Sequence, residues 1–324
     1  MKKNIAIVMG GYSSEVAISM KSGSVAFKHL NKEKFNPYQV HILPNKWVVI
    51  DDDREYEIEK KDFSFFKGDK KITFDCVFNA IHGSPGEDGK LLAYFELINM
   101  KHTSAPFYQM ALTFNKRDTL SVVKHYGIPT AESVYLNKGA DYSTSEIIEK
   151  VGLPCFVKPN NAGSSFGISK VYEEKHMIKA IDKAFKEDSE ILIESFLDGI
   201  EVSVSVIEYK GQVTVLPITE IVSENDFFDY DAKYNGKSKE ITPARLTKLQ
   251  ETRVREMAKK VYTLLNMAGF SRSEYILVKD IPHFLEMNTV PGLTEASILP
   301  KQAQEYGIQL SELFNNSVQQ SLNK

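Results

Sequence analysis

Along this chain, apolar runs bounded by glycine turns alternate with segments whose apolar residues recur every three or four positions. The first kind reads as buried strands and the second as amphipathic helices. NIAIVMGG followed by SSEVAISMKSGSVAFKHL is a strand, a glycine turn and a helix capped by Ser13 or Ser14. YQVHIL and KWVVI are further strands. TFDCVFNAIHG is a buried strand running into the loop GSPGEDG, and KLLAYFELINM is a helix. These elements make a small doubly wound unit reaching Ser104. Helices over 105–126 end at Gly127. Next come the strand AESVYL, a helix opened by the capping box Ser143-x-x-Glu146, the strand LPCFVKP, the loop NNAGSSFG, the strand ISKVY, the helix MIKAIDKAF and the strand EILIESFL.

The last part opens with EVSVSVIE, which alternates as a strand with one buried face does. TVLPITEIV is expected to pair with it across a Lys-Gly-Gln turn. SENDFFDYDAKYNGKSKEITP has little periodicity, and a loop of about twenty residues inside a compact domain is usually functional or disordered. A helix is expected from Pro243, at its first position, to Met267, with Gly269 just past its end. RSEYILV and HFLEMN are strands, and a helical tail follows. Strands alternating with helices place the chain in the α/β or α+β class.

A length of 324 residues adds an expectation of two or three domains. The net charge of -3 gives no sign of a nucleic-acid or membrane-surface partner, so any phosphate binding needs a local site. Cys76 and Cys155 lie far apart in apolar strands, a spacing for neither zinc nor a disulfide framework. Buried thiols fit a reducing compartment. The apolar stretch Ile5 to Met9 is too short for a signal peptide, and no apolar run approaches membrane-spanning length. A cytoplasmic protein is expected.

Five places carry candidate chemistry. On the two late strands Arg272, Glu274 and Ile276 share one face, as do Glu286 and Asn288, while Leu285 and Met287 point into a core. A turn centred on Asp280 sets Glu274 opposite Glu286 and Arg272 opposite Asn288. Two facing carboxylates repel, and a cation between them resolves the conflict. Hard oxygen donors of this kind suit magnesium, which often also holds phosphates; the plainer reading is an exposed strand face. Pro291-Gly292 forces a turn directly afterwards, with the Gly292 amide able to approach a ligand, and Ser297 sits near a helix start. In KPNNAGSSFG, Lys158 ends a strand before a loop that either cradles phosphate or is a solvated hairpin turn. GGYSSE lacks the GxGxxG spacing of a dinucleotide fingerprint, so Glu15 either follows a tight turn or binds an ammonium at the strand's carboxyl end. His82, at another strand end, is structural or substrate-binding. In DYDAKY, Lys233 and Tyr234 are contact points of a lid or part of a disordered loop.

GGYSSE, HGSPGEDG, FNK, VKPNNAGSS, LIESFLDGIE, DYDAKY and EMNTVPGLTEAS occur in this order over nearly the whole chain, which thereby resembles the D-alanine–D-alanine ligase family of ATP-grasp enzymes. The resemblance implies three units: a doubly wound substrate-binding domain over 1–104, a central ATP-grasp subdomain over 105–194, and a C-terminal subdomain over 195–324 with the metal site and lid. It implies ligation of two D-alanines by ATP through an acyl phosphate, for peptidoglycan precursor synthesis. Lys116 and Lys158 would contact ATP phosphates, and Lys233 the γ-phosphate. Glu194 with the backbone of Phe196 and Leu197 would bind the adenine edge, and Glu201 the ribose. Glu274, Glu286 and Asn288 would hold two magnesium or manganese ions. Glu15 and His82 would position the first D-alanine, and Ser297 and Ile298 the second. Glu15, Ser164 and Tyr234 would latch the lid, and Arg272 with the Gly292 amide would stabilise the oxyanion. A homodimer is implied as well. Departures from the family pattern are Arg272-Ser273-Glu274 where Arg-x-Asp is usual, KHTSA where Tyr-Thr-Gly-Ser is common, and Ala17 at a commonly acidic position. The alternatives are a D-alanine–D-lactate ligase, another ATP-grasp carboxylate–amine ligase, or a non-catalytic nucleotide-binding relative.

Overall fold

A computed structural model describes residues 2–161, 167–223 and 238–323. The chain runs β1 (Lys3–Gly10), α1 (Val16–His29), β2 (Phe35–Leu43), β3 (Lys46–Asp51), β4 (Arg54–Glu57), β5 (Ser64–Lys67), β6 (Lys70–Thr73), β7 (Cys76–Asn79), α2 (Lys90–Leu97), α3 (Phe107–Phe114) and α4 (Lys116–His125). It continues with β8 (Ser133–Asn137), α5 (Thr144–Val151), β9 (Cys155–Pro159), β10 (Ser169–Val171), α6 (Met177–Ala184) and β11 (Glu190–Ser195). The last part is β12 (Ile200–Tyr209), β13 (Gln212–Val215), β14 (Thr219–Ser223), β15 (Ser238–Ile241), α7 (Lys248–Leu264), β16 (Phe270–Val278), β17 (Ile281–Asn288), α8 (Ile298–Glu305) and α9 (Leu310–Asn323).

Ile5 to Met9 of β1 are fully buried, as expected of a strand covered on both faces. β1 pairs in parallel with β2 and β7 at the centre of a sheet ordered β4-β3-β2-β1-β7. The β5–β6 hairpin was not expected, because DDDREYEIEKKD and KGDKK surround its few apolar residues with charge. Its anchors are Phe63, Phe65 and Phe74, which pack ring against ring (centroids 5.6 Å apart for Phe63–Phe74 and 5.8 Å for Phe65–Phe74). A central sheet is ordered β10-β9-β11-β8, and the last sheet β15-β14-β12-β16-β17 with β13 also on β12.

Three local expectations are corrected. Neither Ser13 nor Ser14 caps α1: Glu15 holds the N-cap with no side-chain hydrogen bond capping the helix, and the Ser13 hydroxyl accepts the Glu15 N–H in a turn before the helix. The helices expected over 105–126 are present as α3 and α4, the Asn115 side chain accepting the Asp118 N–H and starting the second at Lys116. TVLPITEIV pairs with β12 as expected, but as two strands, since Pro217 has no N–H to give a ladder. Gln302 of α8 fills the gap, accepting the Ser205 N–H (3.0 Å) and donating to the Ser203 carbonyl (2.8 Å). Finally, α7 starts at Lys248 rather than Pro243. Thr247 and Gln250 form its reciprocal capping box, while the Ala244 N–H is held by the Ile218 carbonyl.

Among the described residues the apolar interior is organised in three clusters. The central sheet with α5 and α6 has its own, around Val157, Met177, Ile181 and Ile193. A second runs from one face of the first sheet through α4 and α7 to β12 and β16. A third covers the other face of the first sheet with α1, α8 and α9, where Phe78 meets Phe314 edge to face at 5.6 Å. Each large aliphatic side chain buried this way contributes roughly 1.5–3 kcal/mol.

Candidate active site

β16 and β17 are joined by the two-residue turn Lys279-Asp280, both residues at positive φ (48° and 66°), a mirror-image turn that suits the strand twist. The register next to it pairs Val278 with Ile281 and Tyr275 with Phe284. Continued unbroken, this would set Glu286 opposite Ser273. A β-bulge at Leu285 resets it, so that Glu274 faces Glu286 and Arg272 faces Asn288. The expected pairing is therefore present, produced by a bulge and not by a turn centred on Asp280. The bulge also turns Leu285 away from the core, where it was expected, and into a cleft beside Ile276.

That cleft, about 490 Å³, lies between the central and last sheets. Lys116, Lys158, Glu194, Phe196, Leu197, Glu201, Glu274 and Glu286 line it together. Lys116 reaches it because it is the first residue of α4, and its Nζ lies 3.2 Å from Glu286 Oε2. Lys158 on β9 and Glu194 on β11 form a close ion pair, Glu194 being 3% exposed. Burial pulls the Lys158 ammonium down, but Glu194, Glu286 and Glu274 outweigh it, and the net shift is upward. Arg272 donates to Glu274 Oε1 at 2.8 Å. Burial also works against its charge, and Glu274, Glu286 and Glu240 more than offset this. Phe156 and Phe196 stand 6.3 Å apart at the outer end, with Lys170 Nζ 4.2 Å from the Phe196 ring.

The residues suit a cation. Two carboxylates sit directly across a strand pair, with the Asn288 amide two residues along the same strand, an all-oxygen donor set appropriate to magnesium. Asn288 Oδ1 also accepts the Val290 N–H at 3.0 Å, which fixes the side chain.

Beyond Arg272 the polar groups change character. His82 is 5% exposed, and burial, then the Arg272 charge, lower its pKa to about 4. Glu87 from the same loop is 9% exposed; burial, then the Glu15 charge, raise it to about 7 although the Gly83, Val290 and Thr289 amides donate to it. Gly83 lies against Glu15: a Cβ there would come within 2.7 Å of Ser13 Oγ and 3.4 Å of Glu15 Oε2. Gly292 is equally close to Ser297, whose hydroxyl shares a 2.8 Å hydrogen bond with Thr294. Ile298, the first residue of α8, is buried. Ser164, Lys233 and Tyr234 lie outside the described residues.

Sequence reasoning missed three features of this region. Glu87 could have been flagged as an acid inside HGSPGEDG. Glu220 lines the cleft, clamped by Arg245 at 2.8 and 2.6 Å, and a carboxylate inside PITEIV was its signal. Ser22, fully buried on α1 and in contact with His82 Nε2, carried no signal at all.

The model of the family "D-ala D-ala ligase N-terminus" matches residues 4–105, and that of "D-ala D-ala ligase C-terminus" matches residues 122–319. The D-alanine--D-alanine ligase of Flavobacterium johnsoniae is 61% identical over 321 residues, covering 99% of each chain. The structure of the VanG D-Ala:D-Ser ligase of Enterococcus faecalis superposes with a TM-score of 0.87 at 29% identity, over 98% of this chain and 99% of that one. The structure of D-alanine--D-alanine ligase from Bacillus anthracis complexed with ATP gives 0.79 at 27% identity, over 99% of this chain and 97% of that one.

Proposed function

This chain belongs to the D-alanine–D-alanine ligase family, and we propose that its ATP-dependent joining of two D-alanines takes place along the cleft, ATP at one end and the amino acids at the other. The enzyme is a ligase that makes D-alanyl-D-alanine, a peptidoglycan precursor, from ATP and D-alanine with magnesium as the cation. The observation that carries the site assignment is the bulge-set pairing of Glu274 with Glu286, next to Lys116, Lys158 and Arg272.

In this reading the first D-alanine carboxylate oxygen attacks the γ-phosphorus, an O–P bond forms, the bond to the β-phosphate oxygen breaks, and ADP leaves. The amine of the second D-alanine, its ammonium proton given up to solvent, attacks the acyl carbon and forms the C–N bond of a tetrahedral oxyanion; this collapses as the bond to phosphate breaks, and the phosphate leaves with the second amine proton. Lys116 and Lys158 offset phosphate charge, exchanging Glu286 and Glu194 for the nucleotide. Glu194, the Phe196 and Leu197 backbone and Glu201 hold adenine and ribose. Glu274, Glu286 and Asn288 hold magnesium or manganese, which neutralises phosphate charge when bound. Glu15 pairs with the first ammonium while neutral His82 lies beside that substrate. Arg272 and the Gly292 N–H face the oxyanion, and Ser297 and Ile298 receive the second amino acid. Lys233 serves the γ-phosphate, and Glu15, Ser164 and Tyr234 close the lid, a step that keeps water from the acyl phosphate. The division at residues 104 and 194, a homodimer and a cytoplasmic location belong to the same reading. The buried free thiols support the last, and sedimentation equilibrium tests the dimer.

Phosphate release and product mass, measured with ATP, magnesium and D-alanine, test the function, with D-serine and D-lactate as competing second substrates. The expected result is D-alanine-stimulated phosphate release matched by dipeptide. Unstimulated release, or depsipeptide dominating near neutrality, would overturn it.

A further inference from the structure

Ser22 lies two turns into α1, at 0% exposure and outside GGYSSE and HGSPGEDG. Among the described residues its hydroxyl has two partners. The Leu293 N–H donates to it at 3.3 Å, and His82 Nε2 lies 3.1 Å away. An amide N–H can only donate, so it takes one lone pair of the hydroxyl and leaves the hydroxyl hydrogen to be placed. In a sealed position with these two partners, the acceptor for that hydrogen is His82 Nε2; the opposite arrangement would leave a buried O–H unsatisfied. An imidazole that accepts at Nε2 and stays neutral carries its proton on Nδ1. His82 is neutral in this setting, buried and facing the Arg272 charge.

We propose that Ser22 is a positioning residue that fixes His82 as the Nδ1–H tautomer and so presents an N–H donor to the first D-alanine. The proposal rests on the reading of His82 as a contact of that substrate. The same hydroxyl holds the Leu293 amide, directly after Gly292. One side chain of the first sheet's helix thus sets both the donor that meets the first substrate and the loop whose Gly292 amide faces the oxyanion. Glu15, on the turn before α1, takes the ammonium of the same substrate, so α1 aligns two of its groups.

The test uses the full chain labelled with ¹⁵N-histidine and long-range ¹H–¹⁵N correlation near neutral pH, with His82→Gln to assign the signal. The expected wild-type spectrum shows an unprotonated Nε2 and a protonated Nδ1 for His82. Ser22→Ala should shift the ring towards the Nε2–H tautomer that free imidazole side chains favour. It should also raise KM for the first D-alanine about five- to tenfold, the scale of one buried hydrogen bond, with a smaller change in kcat. A protonated Nε2 in the wild type, or a tautomer unchanged by Ser22→Ala, overturns the proposal, and the wild-type spectrum decides even if the variant folds poorly. The predicted tautomer with no His82 response to added D-alanine would instead overturn the substrate reading while leaving the role of Ser22 in the ring intact.

Discussion

At the nucleotide end of the cleft, charges meet counter-charges inside the protein: Lys116 with Glu286, Lys158 with Glu194, and Arg272 with Glu274. At the amino-acid end, His82 is lowered to about 4 and Glu87 raised to about 7, and backbone amides and a serine hydroxyl satisfy the polar atoms. The difference follows from what each end must do. Triphosphate and cation arrive carrying charge, so pre-formed ion pairs can change partners without exposing a bare charge to a dry interior. A small zwitterion must be oriented, and there the Glu15 and Arg272 charges are joined by groups that burial holds towards their neutral forms. Arg272 stands at the boundary, bonded to Glu274 on one side and facing His82 on the other.

The largest test of this contrast is Glu286→Gln. It keeps the shape but removes one charge of the paired carboxylates and the counter-charge facing Lys116. Metal-dependent turnover should fall roughly a thousandfold with folding retained. Steady-state rates at saturating magnesium decide, and near-normal activity would refute the ligand role. The middle test is Glu87→Gln at the neutral end. A carboxyl raised in the folded state gives stability that is present below its ordinary pKa and lost as pH rises through about 7. Replacing it should therefore stabilise the variant relative to wild type more at alkaline than at acidic pH, by about 3 kcal/mol across that window. Denaturant titrations at several pH values measure this, and a pH-independent difference would mean that Glu87 stays ionised throughout. The smallest test is Leu285→Ala. Because the bulge points Leu285 into the cleft, the change should raise KM for ATP a few-fold and cost under about 1 kcal/mol of stability, whereas truncating a core leucine costs about 2–5 kcal/mol. A core-sized loss in thermal denaturation would return Leu285 to the interior.

Much of this was legible in the sequence because it is local. Strand alternation put Glu274 and Glu286 on usable faces, and the apolar run of β1 identified a doubly covered strand. The bulge was not legible: it depends on how β17 settles against its neighbours, and the expected pairing was reached from a different turn geometry. Pro243 misled because proline favours a first helical position, and the competing Thr247-x-x-Gln250 box was overlooked. Charge concealed β5 and β6. Ser22 was invisible for a deeper reason, since its importance exists only where α1, the His82 loop and Leu293 meet.

The cover on the first sheet has a consequence for how the protein is made. Ile5, Ile7, Cys76 and Phe78 lie under Leu313, Phe314 and Val318 of α9. During vectorial synthesis β1 and β7 leave the ribosome well before α9, so that face is not sealed until α9 has followed. The central sheet, whose core is drawn from residues 134–193, can close while translation is still under way. Nascent chains paused before residue 310 should thus present a finished centre beside an unsealed beginning, the state in which a chaperone would meet them.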